Sequence, residues 1–273
     1  MGVGLIGCGA IGSVVAHAID EGEAGNARLI MVYDLVLQKC RRLASELSTM
    51  PKIASDFAEL VSCKDVHLII EAASQDAVRQ YASKVLQAGK DLMIMSVGAL
   101  VDSKLTDDVK NFACTAGRKV YIPSGAIAGL DGLKSAAVDR VDEVTLTTRK
   151  TPKGLRDNSY IKQRGIRIDA LSKPRTVYEG TAAEACKLFP ANVNVAAALS
   201  LAGIGPEETK VRVVADPTIQ RNIHEIRVKG KFGEFKVRVE NVPFAKNPKT
   251  SCLAALSAVA TLRKVTEHMV IGT

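Results

Sequence analysis

The sequence predicts an α/β protein in two parts: an N-terminal doubly wound parallel sheet, then an α+β region with a mostly antiparallel sheet. Three observations carry this. Apolar runs alternate with amphipathic helical patterns from Val3 to Ile122, a glycine cluster follows the first run directly, and beyond Pro123 the patterning changes to two-residue alternation. Strands that are apolar on both faces and separated by helices need a sheet covered on both sides, which is the setting of parallel strands. Right-handed crossovers then place helices on both faces.

In order, Val3–Ile6 is a short apolar strand, and Ala10–Ile19 repeats apolar residues at helical spacing. Leu29–Tyr33 is a second strand, closed by Asp34, and Gln38–Leu47 a second helix. Val66–Ile70, closed by Glu71, is a third strand. It precedes an amphipathic helix over Gln75–Gln87 whose Ala77, Val78, Tyr81, Ala82, Val85 and Leu86 share a face. Leu92–Val97, Ser103–Ala116 and Lys119–Ile122 complete the series as strand, helix and strand. In the second part, Ala128–Val138 forms a helix. Glu143–Thr148 alternates as a half-buried strand does, and Lys150–Pro174, polar and basic, is predicted as a mobile loop or lid. A strongly apolar helix over Asn194–Leu201 precedes three alternating runs, Lys210–Ala215, Ile223–Val228 and Phe235–Val239. Gly230 and Gly233 mark a hairpin between the last two. The boundary falls near residue 124, giving domains 1–124 and 125–273. The last helix, Ser251–Val265, is counted with the second domain but is free to pack back on the first.

With 273 residues, 47% apolar and 24% charged, the chain can bury a core without staples, and whole-chain disorder, collagen and coiled coil are excluded. The longest apolar stretches are too short to span a bilayer, and Met1–Ile6 has no basic region before its apolar run, so it reads as structure rather than a signal peptide. The net charge is 37 − 29 = +8, spread in pairs such as Arg41-Arg42 and Arg149-Lys150 rather than in a stripe or arm. Scatter argues against nucleic acid and leaves anionic small molecules or solvated surface. The six cysteines include no CxxC pair and none at zinc-ligand spacing from a His, so no metal is expected and free thiols in a reducing cytoplasm are.

The glycine cluster is Gly7-Cys8-Gly9-Ala10-Ile11-Gly12, a GxGxxG between a predicted strand and a predicted helix, the context this Rossmann motif requires. Gly7 makes the tight turn, Gly9 lets a pyrophosphate approach the backbone, and Gly12 lets helix and strand pack closely. Ala10 and Ile11 open the helix whose free N–H groups and dipole face the phosphates. Asp34 lies 22 residues past Gly12, at the end of the next strand, where an acid binds the adenosine ribose and disfavours a 2′-phosphate. NAD is favoured. Lys39, Arg41 and Arg42 follow closely and leave NADP open. Ala73, Ser74 and Ser96 sit at the carboxyl ends of later strands, where ligands dock in such sheets.

Of four histidines, His17 lies in the first helix, His67 at a strand start and His268 in the tail. His224 opens an antiparallel strand after a polar turn containing Asp216-Pro217 and is the candidate proton-transfer group. An edge or core histidine is the competing reading of that residue.

Several segments resemble the L-aspartate dehydrogenases. They are Ser124–Asp131 (SGAIAGLD), Phe189–Ala197 (FPANVNVAA), Val213–Asp216, Asn222–Ile226 (NIHEI), Asn247–Ser251 (NPKTS) and Glu71–Gln75 (EAASQ), in that family's order and across essentially the whole chain. The resemblance implies a two-domain dehydrogenase, usually a homodimer, with its active-site His on His224 and cofactor contacts on Ala126 and Asn194. It implies oxidation of L-aspartate to iminoaspartate, which water converts to oxaloacetate and ammonia. The iminoaspartate could feed pyridine-nucleotide synthesis. Two carboxylates call for cations. Lys249 and Thr250, at the expected start of the last helix, are candidates, as are Arg149 and Lys150. The alternatives are a related two-domain dehydrogenase or reductase of another amino acid and an NAD-sensing regulator. Against the regulator, the chain shows neither a helix-turn-helix nor a basic arm.

Overall fold

A computed structural model describes residues 1–190, 194–244 and 247–272, with backbone alone for 243–244 and 247–250. Two compact units emerge, Met1–Pro123 with Ala254–Ile271, and Ser124–Leu253.

The first unit runs β1 (Gly2–Ile6), α1 (Ala10–Asp20), β2 (Arg28–Tyr33), α2 (Leu37–Glu46), β3 (Lys52–Ile53), α3 (Phe57–Ser62), β4 (Leu68–Glu71), α4 (Gln75–Gln87), β5 (Asp91–Ile94), α5 (Ser103–Ala116) and β6 (Val120–Tyr121), with a 3-10 turn at Val97–Val101. Its six strands lie in the order β3-β2-β1-β4-β5-β6, and every pairing is parallel. The chain leaves β1 to one side through β2 and β3 and returns on the other through β4. The strand order therefore reverses at β1, where such sheets bind ligands. β1 and β4 are buried along their whole length, which is why they read as continuous apolar runs. Ser74 caps α4 by accepting from the Ala77 N–H at 3.1 Å, and Asp102 caps α5 by accepting from Leu105 N–H at 3.2 Å.

The second unit runs α6 (Leu130–Ala136), β7 (Val141–Lys150), α7 (Pro152–Leu155), α8 (Ser159–Gln163), β8 (Arg175–Thr181), α9 (Ala182–Leu188), α10 (Asn194–Ala202), β9 (Lys210–Ala215), β10 (Asn222–Gly230), β11 (Gly233–Asn241), β12 (Pro243–Phe244) and β13 (Asn247–Ser251). Five strands lie in the order β11-β10-β7-β9-β8, antiparallel except for β7 with β9. The expected hairpin joins β10 to β11, with Gly233 at φ +117 where an L side chain would be strained. Val144, Leu146, Thr148 and Lys150 alternate onto the buried face of β7, while Glu143, Thr145, Thr147 and Arg149 take the other.

The last helix, α11 (Cys252–Thr266), places Ala258, Val259 and Leu262 in the core of the first unit beside Val15, Leu29 and Leu43. The Asn26 backbone N–H donates to Thr266 Oγ1 at 3.2 Å, and Arg263 donates to the Glu23 carbonyl.

Two expectations need correction. Lys150–Pro174 is not an open loop. It carries α7, α8 and a 3-10 turn, anchored by buried Leu155, Ile161 and Ile168, with Thr151 and Asn158 as caps. Three apolar residues spaced six or seven apart are too sparse to give a periodic signal, yet each fixes one short turn. Second, Asn247–Ser251 is a strand paired with β12, so Lys249 and Thr250 do not open the last helix.

Candidate active site

The loop after β1 has the form of a phosphate cradle. Gly7 sits at φ +98, and a Cβ there would come within 2.7 Å of the Ala72 backbone. A Cβ on Gly12 would overlap the Gly7 carbonyl oxygen, so α1 packs against the loop only because residue 12 is glycine. Gly9 differs, since a Cβ there would meet nothing within 4 Å. It faces open space at the N-terminus of an 11-residue helix, and Ala10 and Ile11, both half-buried, follow it. Asp34 ties the loop to β2: Oδ2 accepts the Cys8 N–H at 2.9 Å, Oδ1 accepts the Val36 N–H at 2.9 Å, and Lys39 Nζ stands 3.9 Å from Oδ1. Gly7, Gly9, Asp34, Ala73 and Ser74 line one cleft of about 310 Å³. Cys8 and Cys40 are buried with their sulfurs 3.7 Å apart, and burial pushes both thiols up, away from the reactive thiolate form.

Behind the cleft lies Glu71, whose importance composition and spacing do not reveal. It is buried at the end of β4. Oε1 accepts from Ala73 N–H (2.8 Å), Ser74 N–H (2.9 Å) and Ser96 Oγ–H (2.9 Å), and Oε2 accepts from Ser96 N–H (3.0 Å). One carboxylate therefore shapes the loops after both β4 and β5. Burial outweighs these bonds and holds the carboxyl above its usual range. Ser96, predicted as a cofactor contact, spends its hydroxyl on Glu71.

In the second unit the buried sheet face is apolar except at one end. There Thr148 and Lys150 of β7, Asn222 and His224 of β10 and Asn241 of β11 are all buried. His224 stands opposite Thr148 in register, and Thr148 Oγ lies 3.1 Å from His224 Nδ1. Among the described residues this bond engages Nδ1 of the ring. Burial, and then the nearby Lys150 charge, pull His224 down to about 3, so it is neutral at physiological pH. Lys150, 4% exposed, is itself lowered to about 8 by burial.

Asn241 Nδ2 donates to the Ala126 carbonyl at 2.9 Å, joining the Gly125–Ala126 turn to this polar end. Val195 of α10 lies 3.8 Å from where a Gly125 Cβ would stand, so Asn194, the first residue of that helix, is close to the same turn. Three predicted residues, Ala126, Asn194 and His224, are thus gathered at one end of one unit. Residues 191–193 and the side chains of Lys249 and Thr250 lie outside the described residues. The other histidines are otherwise engaged: His17 lies 3.5 Å from Glu46, His67 Nδ1 accepts the Gly2 N–H, and His268 is exposed. No group of His, Cys, Asp or Glu able to hold a metal occurs among the described residues, nor does a helix long and apolar enough to cross a membrane.

A dinucleotide cradle in one unit and a buried neutral histidine in a mixed-sheet unit define a dehydrogenase that uses NAD or NADP. Residues 7–123 match the model of the homoserine dehydrogenase NAD-binding domain, and residues 131–265 match that of the aspartate dehydrogenase C-terminal domain. The chain is 49% identical to the L-aspartate dehydrogenase of Methanosarcina acetivorans over 271 residues, 99% of each chain, and 46% identical to that of Nitrosopumilus maritimus, again over 99% of each. The crystal structure of aspartate dehydrogenase from Thermotoga maritima superposes with a TM-score of 0.78 at 30% identity, covering 100% of this chain and 99% of that one. The chain belongs to the L-aspartate dehydrogenase family.

Proposed function

We propose that the protein oxidises L-aspartate with NAD or NADP, giving iminoaspartate, which water converts to oxaloacetate and ammonia. The carrying observation is His224: buried, neutral and fixed through Nδ1 by Thr148. The nicotinamide, when bound, accepts the hydride from the substrate Cα. The first unit is the nucleotide-binding domain. Gly7, Gly9, Ala10 and Ile11 would hold the pyrophosphate, with Gly12 letting α1 pack against their loop; Asp34 would hold the adenosine ribose, Ala73 and Ser74 would line the cleft, and Ser96, bonded to Glu71, would support the loop beside it. The open space at Gly9 fits that role. The second unit is the catalytic domain, with Ala126 and Asn194 as its cofactor contacts.

His224 acts as general base and acid. Donation from Nδ1–H to Thr148 Oγ leaves a lone pair on Nε2. That lone pair takes a proton from the water attacking the iminium carbon and returns it to the departing amine. Because burial keeps the ring unprotonated, the base form is present throughout the neutral range.

The protein works as a homodimer in the cytoplasm, on a small dicarboxylic amino acid, without nucleic acid or membrane. Its six cysteines, all free, suit a reducing compartment. The test is steady-state reduction of NAD and of NADP with a panel of L- and D-amino acids that includes L-homoserine, run beside light scattering of the purified protein. L-Aspartate should exceed every other substrate in kcat/KM, with a dimer mass. Preference for another amino acid, or no turnover, would overturn the assignment.

A further inference from the structure

We propose that the Lys150 ammonium holds a carboxylate of the substrate beside His224. This rests on the L-aspartate reading above and adds the residue that recognises the acid.

The sequence offers two neighbouring cations, Arg149 and Lys150, and strand geometry separates them. Arg149 lies on the open face of β7, where its Nε is 3.1 Å from Glu225 and its Nη1 is 3.8 Å from Asp216. Its charge is already answered by protein carboxylates. Lys150 lies on the opposite face, two residues from Thr148 and therefore diagonal to His224 on the adjacent strand, a spacing of roughly 7–8 Å between Cα atoms. A ligand that reaches His224 Nε2 lies within the reach of a lysine side chain at that position. The position is dry, so an anion meets a cation screened little by solvent, and the attraction is stronger than at a surface.

Among the described residues, the titratable and charged groups on the elements packed around Lys150 are neutral His224 on β10, Asp216 after β9 and exposed Lys153 on α7. Asp216 donates its backbone N–H to the Lys150 carbonyl, while its Oδ1 accepts from the Thr218 N–H (2.9 Å) and hydroxyl (2.7 Å) and its Oδ2 faces Arg149. Burial lowers Lys150 to about 8. The charged form that binds an anion is therefore lost as pH rises through about 8, and a carboxylate bound there draws the proton back.

The test is calorimetry of succinate, a four-carbon dicarboxylate, binding to the enzyme–NADH complex from pH 7 to 9.5 in two buffers of different ionisation enthalpy, with wild type and Lys150→Met. The wild type should lose affinity above pH 8 and show net proton uptake there. Lys150→Met should bind succinate ~10²-fold more weakly, without proton uptake and with NADH affinity unchanged. In turnover, the loss should fall mainly on KM for L-aspartate. The wild-type titration stands alone should the variant fail to fold. Flat wild-type affinity across that range, or a variant with normal succinate binding and reduced kcat, would overturn the proposal. Because succinate binding needs no turnover, failure of the aspartate reading shows separately, as a wild type that binds succinate with the expected pH dependence yet oxidises no L-aspartate.

Discussion

The two units bury ionisable groups in opposite ways. In the first, Glu71 is enclosed and accepts four hydrogen bonds, all from the loops it organises. In the second, His224 is as deeply enclosed, yet among the described residues one threonine hydroxyl holds it, at one nitrogen. A buried polar group with saturated bonds fixes a shape; one with a free valence facing its surroundings is available for chemistry. Depth of burial does not distinguish the two roles, but the partner list does.

The sharpest way to break the comparison is to remove His224. His224→Ala should lower kcat by ~10²–10⁴-fold while leaving NADH affinity near wild type. Turnover within a few-fold of wild type, measured under saturating substrate, would demote His224 to a core residue. Next in size is Glu71→Ala, which strands four donors and should cost about 2–4 kcal/mol in urea unfolding while weakening NADH binding. A variant of unchanged stability would show that the carboxylate is not the organiser of those loops. The smallest effects come from a pair of glycines. Gly9→Ala enters open space, so Tm should hold while NADH affinity falls about tenfold. Gly12→Ala overlaps a backbone carbonyl and should cost about 1–3 kcal/mol of stability. Equal losses of stability in both variants would erase the distinction between a glycine kept for packing and one kept for a ligand.

The first unit was readable because its signals are local. Continuous apolar runs, a GxGxxG loop and a closing Asp each lie within a few residues. The two-residue strand β3, the six-residue helix α3 and the 3-10 turn at Val97–Val101 escaped, being too short for periodicity, and the strand expected over Leu92–Val97 ends at Ile94. The second unit hid more. In β8 the register shifts between Thr176 and Tyr178, so Val177 and Tyr178 are buried in succession and the alternation is lost. Helix α9 did carry a signal, the capping-box pattern Thr181-x-x-Glu184, with Thr181 Oγ accepting the Glu184 N–H at 3.2 Å. Lys150 was also within reach of a count by twos, since Val144, Leu146, Thr148 and Lys150 share one parity and a lysine on the apolar parity of a strand is a buried lysine. The role of Glu71 is different. It arises from pairing β4 with β5 in space, which nothing local encodes.

The last helix gives the fold an order in time. Ala258, Val259 and Leu262 complete the core around the strands that begin at residue 2, so the nucleotide-binding unit is drawn from two stretches of chain that flank the mixed-sheet unit. During translation the strands of residues 2–121 are made before the helix that covers this patch of their core, with residues 124–253 made in between. The mixed sheet between them has all its strands by residue 251. Of the two units, the one begun first is therefore completed second, and a chain cut before residue 254 lacks the apolar residues that cover that patch of core.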